Sequence, residues 1–217
     1  MTTTHGRQPT LLRRALAAEA GMWRSLFRWI SRRRPTLADD ARAFGYAGVV
    51  TPIFVVFIVV SAVEIPLLDL LLAHFLPWPP LRIVALTLGA WGLIWMFGML
   101  GAVRVHPHVT DAAGIRVRYG HSVDVTIPWS AVAEIRGRRR SLTHSSRTVE
   151  VEESGDRVHL LVGTGGQTNI DLVFREPMTV VVPKGPDRPV SELRFYADAP
   201  DALIARARGH LTAVATP

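Results

Sequence analysis

Three residues of this 217-residue chain invite a chemical reading, Glu64, Asp69 and His74, because they fall in or beside long apolar runs. An ionisable side chain in such a run is costly to keep, and is met where protons, ions or a polar partner are handled. Steps of five turn each residue about 140° from the last on a helix, so the three do not line one face. Near Glu64 to Pro66 the first run should leave the hydrocarbon, which gives a plainer role as an outer-boundary cap, with Glu64 or Asp69 pairing with Arg82. The alternative is a small ion-coupled transporter component built on Glu64, Asp69 and His74.

Other patterns point to less. His106-Pro107-His108 sets two imidazoles on one face of an extended segment, but no Cys, Asp or Glu stands at close ligand spacing, so a juxtamembrane polar pair is expected rather than a metal site. Gly163-Thr164-Gly165-Gly166-Gln167-Thr168 begins like a phosphate loop, yet Thr168 replaces the third glycine and a strand pattern follows where a helix is required. The chain has no cysteine, which excludes disulfides, thiolate catalysis and Cys-based metal centres. Neither Gly-x-Ser-x-Gly nor His-Glu-x-x-His occurs. The expectation is a non-enzymatic protein without cofactor or metal.

The net charge of +7 is unevenly placed. Residues 1–45 carry nine Arg against Glu19, Asp39 and Asp40, and residues 46–103 carry Arg82 against Glu64 and Asp69. From Leu11 to Ile30 a helical projection gathers Leu12, Leu16, Trp23, Leu26, Phe27 and Ile30 on one face and Arg13, Arg14, Arg24 and Arg28 opposite, with Glu19 against the pattern. That is the profile of a helix lying in a membrane surface, ended by Arg32-Arg33-Arg34-Pro35; packing on the soluble domain is the other use of such a face. The second basic cluster runs from Arg136 through Arg138, Arg139 and Arg140. Membrane-surface contact by Arg13, Arg14, Trp23, Arg24, Arg28, Arg32, Arg33, Arg34, Arg138, Arg139 and Arg140, toward anionic headgroups, explains these charges better than nucleic acid.

The elements that must position these residues are two apolar runs, about 46–66 and 81–103, joined through LLDLLLAHFLPWPP. Each approaches the roughly 20 residues needed to cross a hydrocarbon core of about 30 Å. The division that follows is a basic N-terminal region with an interfacial helix over 1–45, a transmembrane hairpin over 46–103 and a cytoplasmic domain over 104–217. Tyr46 opens the first span as an aromatic at headgroup depth. The Lys/Arg bias beside the spans puts both termini on the cytoplasmic side of the plasma membrane. Ala85, Gly89 and Gly92 allow close helix packing, against the first span or a second copy. Trp91 and Trp95 read as packing residues.

Beyond Arg104 the period becomes two: Ile115/Val117/Tyr119, Val123/Val125/Ile127, Val149/Val151 and Ile170/Leu172/Phe174 alternate with polar residues. Short turns between them favour antiparallel pairing in a sandwich or barrel. Asp198-Ala199-Pro200-Asp201 starts a helix whose stripe is Leu203, Ile204, Ala207, Leu211 and Val214. Gly114-Ile-Arg-Val-Arg118, Ile127-Pro-Trp-Ser-Ala-Val132 with Glu134-Ile135, and Leu193-Arg-Phe-Tyr-Ala-Asp-Ala-Pro200 carry a resemblance, over residues 40–212, to bacterial two-span membrane proteins with a pleckstrin-homology-like domain. The resemblance implies an α+β membrane protein, a two-helix hairpin followed by a small antiparallel barrel capped by a C-terminal helix. It implies a cytoplasmic scaffold or auxiliary module with the bilayer, anionic headgroups and a protein partner or second copy as its contacts. It transfers no ligand, because the basic phosphoinositide loop of eukaryotic relatives has no match here.

Overall fold

The computed structural model describes Trp23, Phe27, Ser31 and residues 39–76, 78–120, 122–144, 147–183 and 185–215. Two long helices, α1 (Thr51–Phe75) and α2 (Pro79–Val105), form an antiparallel hairpin and are long and apolar enough to cross a membrane. Proline stands in the first turn of each, where its missing N–H costs nothing. The boundaries differ from the sequence reading. The first helix begins at Thr51 because Tyr46 and Ala47 are buried in the folded domain, and it runs on through Leu67–Phe75, so LLDLLLAHF is helix rather than connection.

A short strand, β1 (Arg42–Phe44), precedes the hairpin and pairs antiparallel with β2 (His108–Thr110), which follows it. With β3 (Gly114–Tyr119) and β4 (Val123–Pro128) these make a four-stranded sheet in the order β1-β2-β3-β4. A 3-10 turn at Trp129–Ala131 leads into the second sheet: β5 (Val132–Ser141), β6 (Val149–Ser154), β7 (Arg157–Val162), β8 (Gln167–Met178) and β9 (Val190–Phe195). Its order is β5-β8-β9-β7-β6. β7 and β9 run parallel, so the second sheet is mixed, not antiparallel throughout, and the strands form two sheets rather than one closed barrel. The reason is an insertion: β7 and β8 are joined by a tight turn, yet β9 lies between them and pairs with both.

Between the sheets lies an apolar core including Ile115, Val117, Ile127, Trp129, Ile135, Leu160, Ile170, Leu172, Leu193 and Phe195. The last helix, α3 (Pro200–Ala215), drives Leu203, Ile204 and Ala207 into it and rests Leu211 against its edge. Trp129 is buried, donates its Nε1–H to Asp111 O at 2.8 Å and stacks on His210 of α3 at 5.3 Å. The Ile-Pro-Trp stretch therefore marks the turn between the sheets and also the seat of the helix.

Candidate functional site: the hairpin and its base

The hairpin enters the domain through a dense polar junction. Tyr46 is fully buried, its ring 4.9 Å from that of His108 and 5.5 Å from that of Tyr119, and its hydroxyl accepts the Gly120 N–H at 2.7 Å. Burial raises its hydroxyl pKa. His108 is also buried: its Nδ1 accepts the Arg118 N–H at 3.1 Å, which leaves Nε2–H to donate to Tyr196 O at 2.8 Å. Both ring nitrogens are used by the neutral form, and burial pushes the imidazole down to about 4. Val103, Tyr196 and Ala47 complete this cluster, with Val49 and Val50 packed on it.

Around it the linker 45–50 is clamped. Asp198 N–H donates to Gly45 O and Asp198 Oδ1 accepts the Gly48 N–H, both at 2.8 Å. A Cβ on Gly48 would stand 2.6 Å from Asp198 Oδ1, so this position has room for hydrogen alone. From the other side Gly165, in the left-handed turn Thr164–Gln167, approaches Val49 so closely that a Cβ there would be 2.6 Å away. The glycines that resemble a phosphate loop shape this contact with the start of α1. His106 and His108 part company: His106 Nδ1 lies 3.0 Å from Ala102 O, back along α2. No group of three metal-binding side chains gathers among the described residues.

Along the hairpin the shielded residues of α1 include Phe54, Ile58, Ser61, Ile65, Asp69 and Leu72, at heptad spacing, and face Arg82, Ala85, Gly89, Leu93 and Met96 of α2. Gly89 lets Ile65 close in, since a Cβ there would be 2.8 Å from Ile65 Cγ1. Gly92 does not serve this contact, because the space around it is open. Near the tip Arg82 grips Asp69 with two parallel hydrogen bonds, Nε to Oδ1 and Nη2 to Oδ2, each 2.9 Å. Glu64 has no hydrogen-bond or ion-pair partner among the described residues. It does share one groove with Asp69, of about 670 Å³ and lined also by Ser61, Ala85, Gly89 and Gly92. Two carboxylates about 140° apart reach one groove because it opens between two helices. His74 lies outside it, its ring 4.7 Å from that of Phe75.

The two faces of the molecule differ sharply in what they leave uncovered. Among the described residues, all the exposed large apolar side chains but Trp23, Phe27, Leu76, Trp78 and Val181 lie on α1 and α2. Leu100, Gly101, Ala102 and Val103, at the end of α2, are buried. Trp23 meets Trp91, near the middle of α2, edge on at 5.5 Å, well away from the base of the hairpin. Arg13, Arg14, Arg24, Arg28, Arg32, Arg33 and Arg34 lie outside the described residues.

The second basic cluster divides. Gly137 pairs with Ile170 and Arg140 with Thr168, so Arg138 and Arg139 together oppose Asn169 in a β-bulge that leaves both exposed. Asn169, which this bulge faces, is hydrogen-bonded to Ala197, next in the chain to Tyr196 of the cluster at the hairpin base. Arg140 turns instead to Asp171, at 3.2 Å.

Asp171 belongs to a buried charge network that the sequence reading missed, on the face of the second sheet away from the core. Arg194 donates from Nε to Glu192 Oε1 at 2.7 Å, and its other nitrogens reach Glu152 and His159 Nδ1, while Arg136 lies 3.5 Å from Glu192. Burial, then the Arg194 charge, holds His159 below the usual imidazole range. The signal was present as Asp171 within Ile170–Phe174 and Glu192 and Arg194 within Val190–Phe195, charges set into otherwise apolar strands, but their partners come from strands far apart in sequence. No protein-family model matches this chain, and no curated protein or solved structure does either.

Proposed function

We propose that this chain is a non-enzymatic, two-span membrane protein whose folded domain is held against the cytoplasmic leaflet as an interaction module, with a scaffolding or auxiliary role toward a protein partner. One observation carries the reading: an apolar skin concentrated on α1 and α2 continues, with no free linker, into the clamped junction around Tyr46 and His108. Lipid is the solvent that suits such a skin. The buried stretch Leu100–Val103 sets the inner limit of the lipid zone, level with about Phe54 on α1. Twenty residues outward, at about 1.5 Å each, cover roughly 30 Å and end near His74, at the tip of the hairpin.

Two sheets closed at one end by a C-terminal helix support the pleckstrin-homology-like reading of the domain, with two departures: the strand supplied from before the hairpin and the parallel pair in a five-stranded second sheet. Arg138 and Arg139, pushed out by the bulge near the hairpin base, suit contact with anionic headgroups; Arg140, tied to Asp171, suits it less. The transport alternative loses ground because Asp69 is occupied by Arg82 and His74 stands apart from Glu64.

The test is topological. The full chain should stay in the membrane pellet after alkaline carbonate extraction. In intact cells an impermeant maleimide should label Trp78→Cys at the tip and spare Asp156→Cys in the domain. Labelling of Asp156→Cys alone would overturn the orientation, and release by carbonate would overturn the membrane reading altogether.

A further inference from the structure

We infer that the groove between α1 and α2 is a dimer interface, in which a second copy of the chain docks within the membrane and the two Glu64 side chains meet at a two-fold axis. The inference rests on the two-span reading above. Measured from Phe54, Glu64 lies ten residues outward, about 15 Å and so halfway through the hydrocarbon. The sequence alone places it at the outer edge, because the apolar run appears to begin at Tyr46. Once Tyr46 belongs to the domain, the whole span moves outward and Glu64 moves to the middle.

A carboxyl group at that depth calls for a polar partner, and Glu64 has no hydrogen-bond or ion-pair partner among the described residues. Arg82, the one arginine of the two helices short of Arg104, is turned to Asp69 through its Nε and Nη2. Glu64 is instead exposed on the wall of a groove open to lipid, with Ser61 on the same wall one turn nearer the base. A neutral carboxyl carries one O–H donor and one carbonyl acceptor, so two of them satisfy each other reciprocally. A two-fold axis along the membrane normal brings every residue to its own depth in the other copy, and an axis running through the groove that Glu64 lines sets Glu64 against Glu64. A second copy is thus the occupant whose chemistry the groove itself supplies. Space permits the approach: nothing lies within 4 Å of where a Gly92 Cβ would be, and Ala85 and Gly89 continue the shallow floor.

The absence of cysteine makes the test direct, because an introduced thiol can pair only with its copy. In native membranes treated with copper phenanthroline, the full-length Gly92→Cys variant should give a disulfide-linked dimer, and Ile94→Cys, outside the groove, should not. Adding Glu64→Ala should lower the Gly92→Cys yield roughly tenfold, while Glu64→Gln, whose amide also donates and accepts, should preserve it. Filling the groove with Gly92→Leu should lower energy transfer between fluorescently tagged copies. Equal crosslinking at both cysteine positions, or a yield indifferent to Glu64→Ala, overturns the dimer. Carbonate extraction of the same membranes separates the two claims: a chain released by carbonate sinks the two-span reading, whereas a chain retained but not crosslinked sinks the dimer alone.

Discussion

The base and the outer half of the hairpin are built by opposite rules. At the base, the polar groups around His108, Tyr46, Asp198 and Gly48 are partnered within the chain, and added atoms would collide. Farther along the hairpin one carboxylate is paired and another is not, a groove stands open, and a glycine faces empty space. The contrast shows which part the chain completes alone. The base is finished by folding, while the rest of the hairpin is finished, on our proposals, by lipid and a second copy.

Substitutions rank accordingly, and one assay orders them: denaturant unfolding of the full chain in micelles dilute enough to keep it monomeric. His108→Ala should cost most, about 3–5 kcal/mol, because it opens a cavity and leaves the Arg118 N–H and Tyr196 carbonyl unpaired in the interior. The same residue imposes a pH dependence. Its folded value near 4 lies below the ordinary 6.5, so its contribution is complete above about pH 6.5 and is lost as the pH falls toward 4. From pH 7.5 to 5 the loss should be on the order of 2 kcal/mol. His159 titrates in the same direction, so the check is the difference in slope between the native chain and His108→Gln. A slope unchanged by that substitution would break the assignment.

Gly48→Val should cost about 2 kcal/mol by forcing Asp198 away from the linker. In the outer half, Asp69→Ala should lower the unfolding midpoint less than any change at the base, and adding Arg82→Ala should recover part of that loss by removing the orphaned cation. Glu64→Leu should leave the midpoint of the monomer where it was. If Glu64→Leu destabilised the monomer as much as Gly48→Val does, the line drawn between the two halves would disappear.

The hairpin was legible because its composition alone demands it, and the Asp69–Arg82 pair because two opposite charges flank one tip. Strand segments around Ile115, Val125 and Val151 were legible through alternation, that around Leu172 through its apolar run about Asp171, and Leu203, Ile204 and Ala207 through their helical stripe. What stayed hidden has a common cause in pairing across long separations. Residues 46–50 extend the apolar run without a break, and nothing local says that Tyr46 will be claimed by His108 and Gly120. Strands of three residues, such as Arg42–Phe44, carry too few positions to show a period. The tight turn at Gly165 promised a hairpin, yet β9 arrives from beyond residue 189 to part its two strands. Arg138, Arg139 and Arg140 stand as one cluster in the sequence, and the bulge that separates the first two from Arg140 cannot be seen in a pattern of charges.

The strand Arg42–Phe44 has a consequence for the order in which the protein can be made. It leaves the ribosome before either membrane helix and waits, unpaired, until more than sixty residues later His108–Thr110 arrives beside it. Closure of the first sheet therefore certifies that both helices have been made and folded back on each other as a hairpin. A fragment cut to start at Arg104 would lack that edge strand and the Tyr46 lid over His108, so any shortened version should splice residues 40–50 directly onto it.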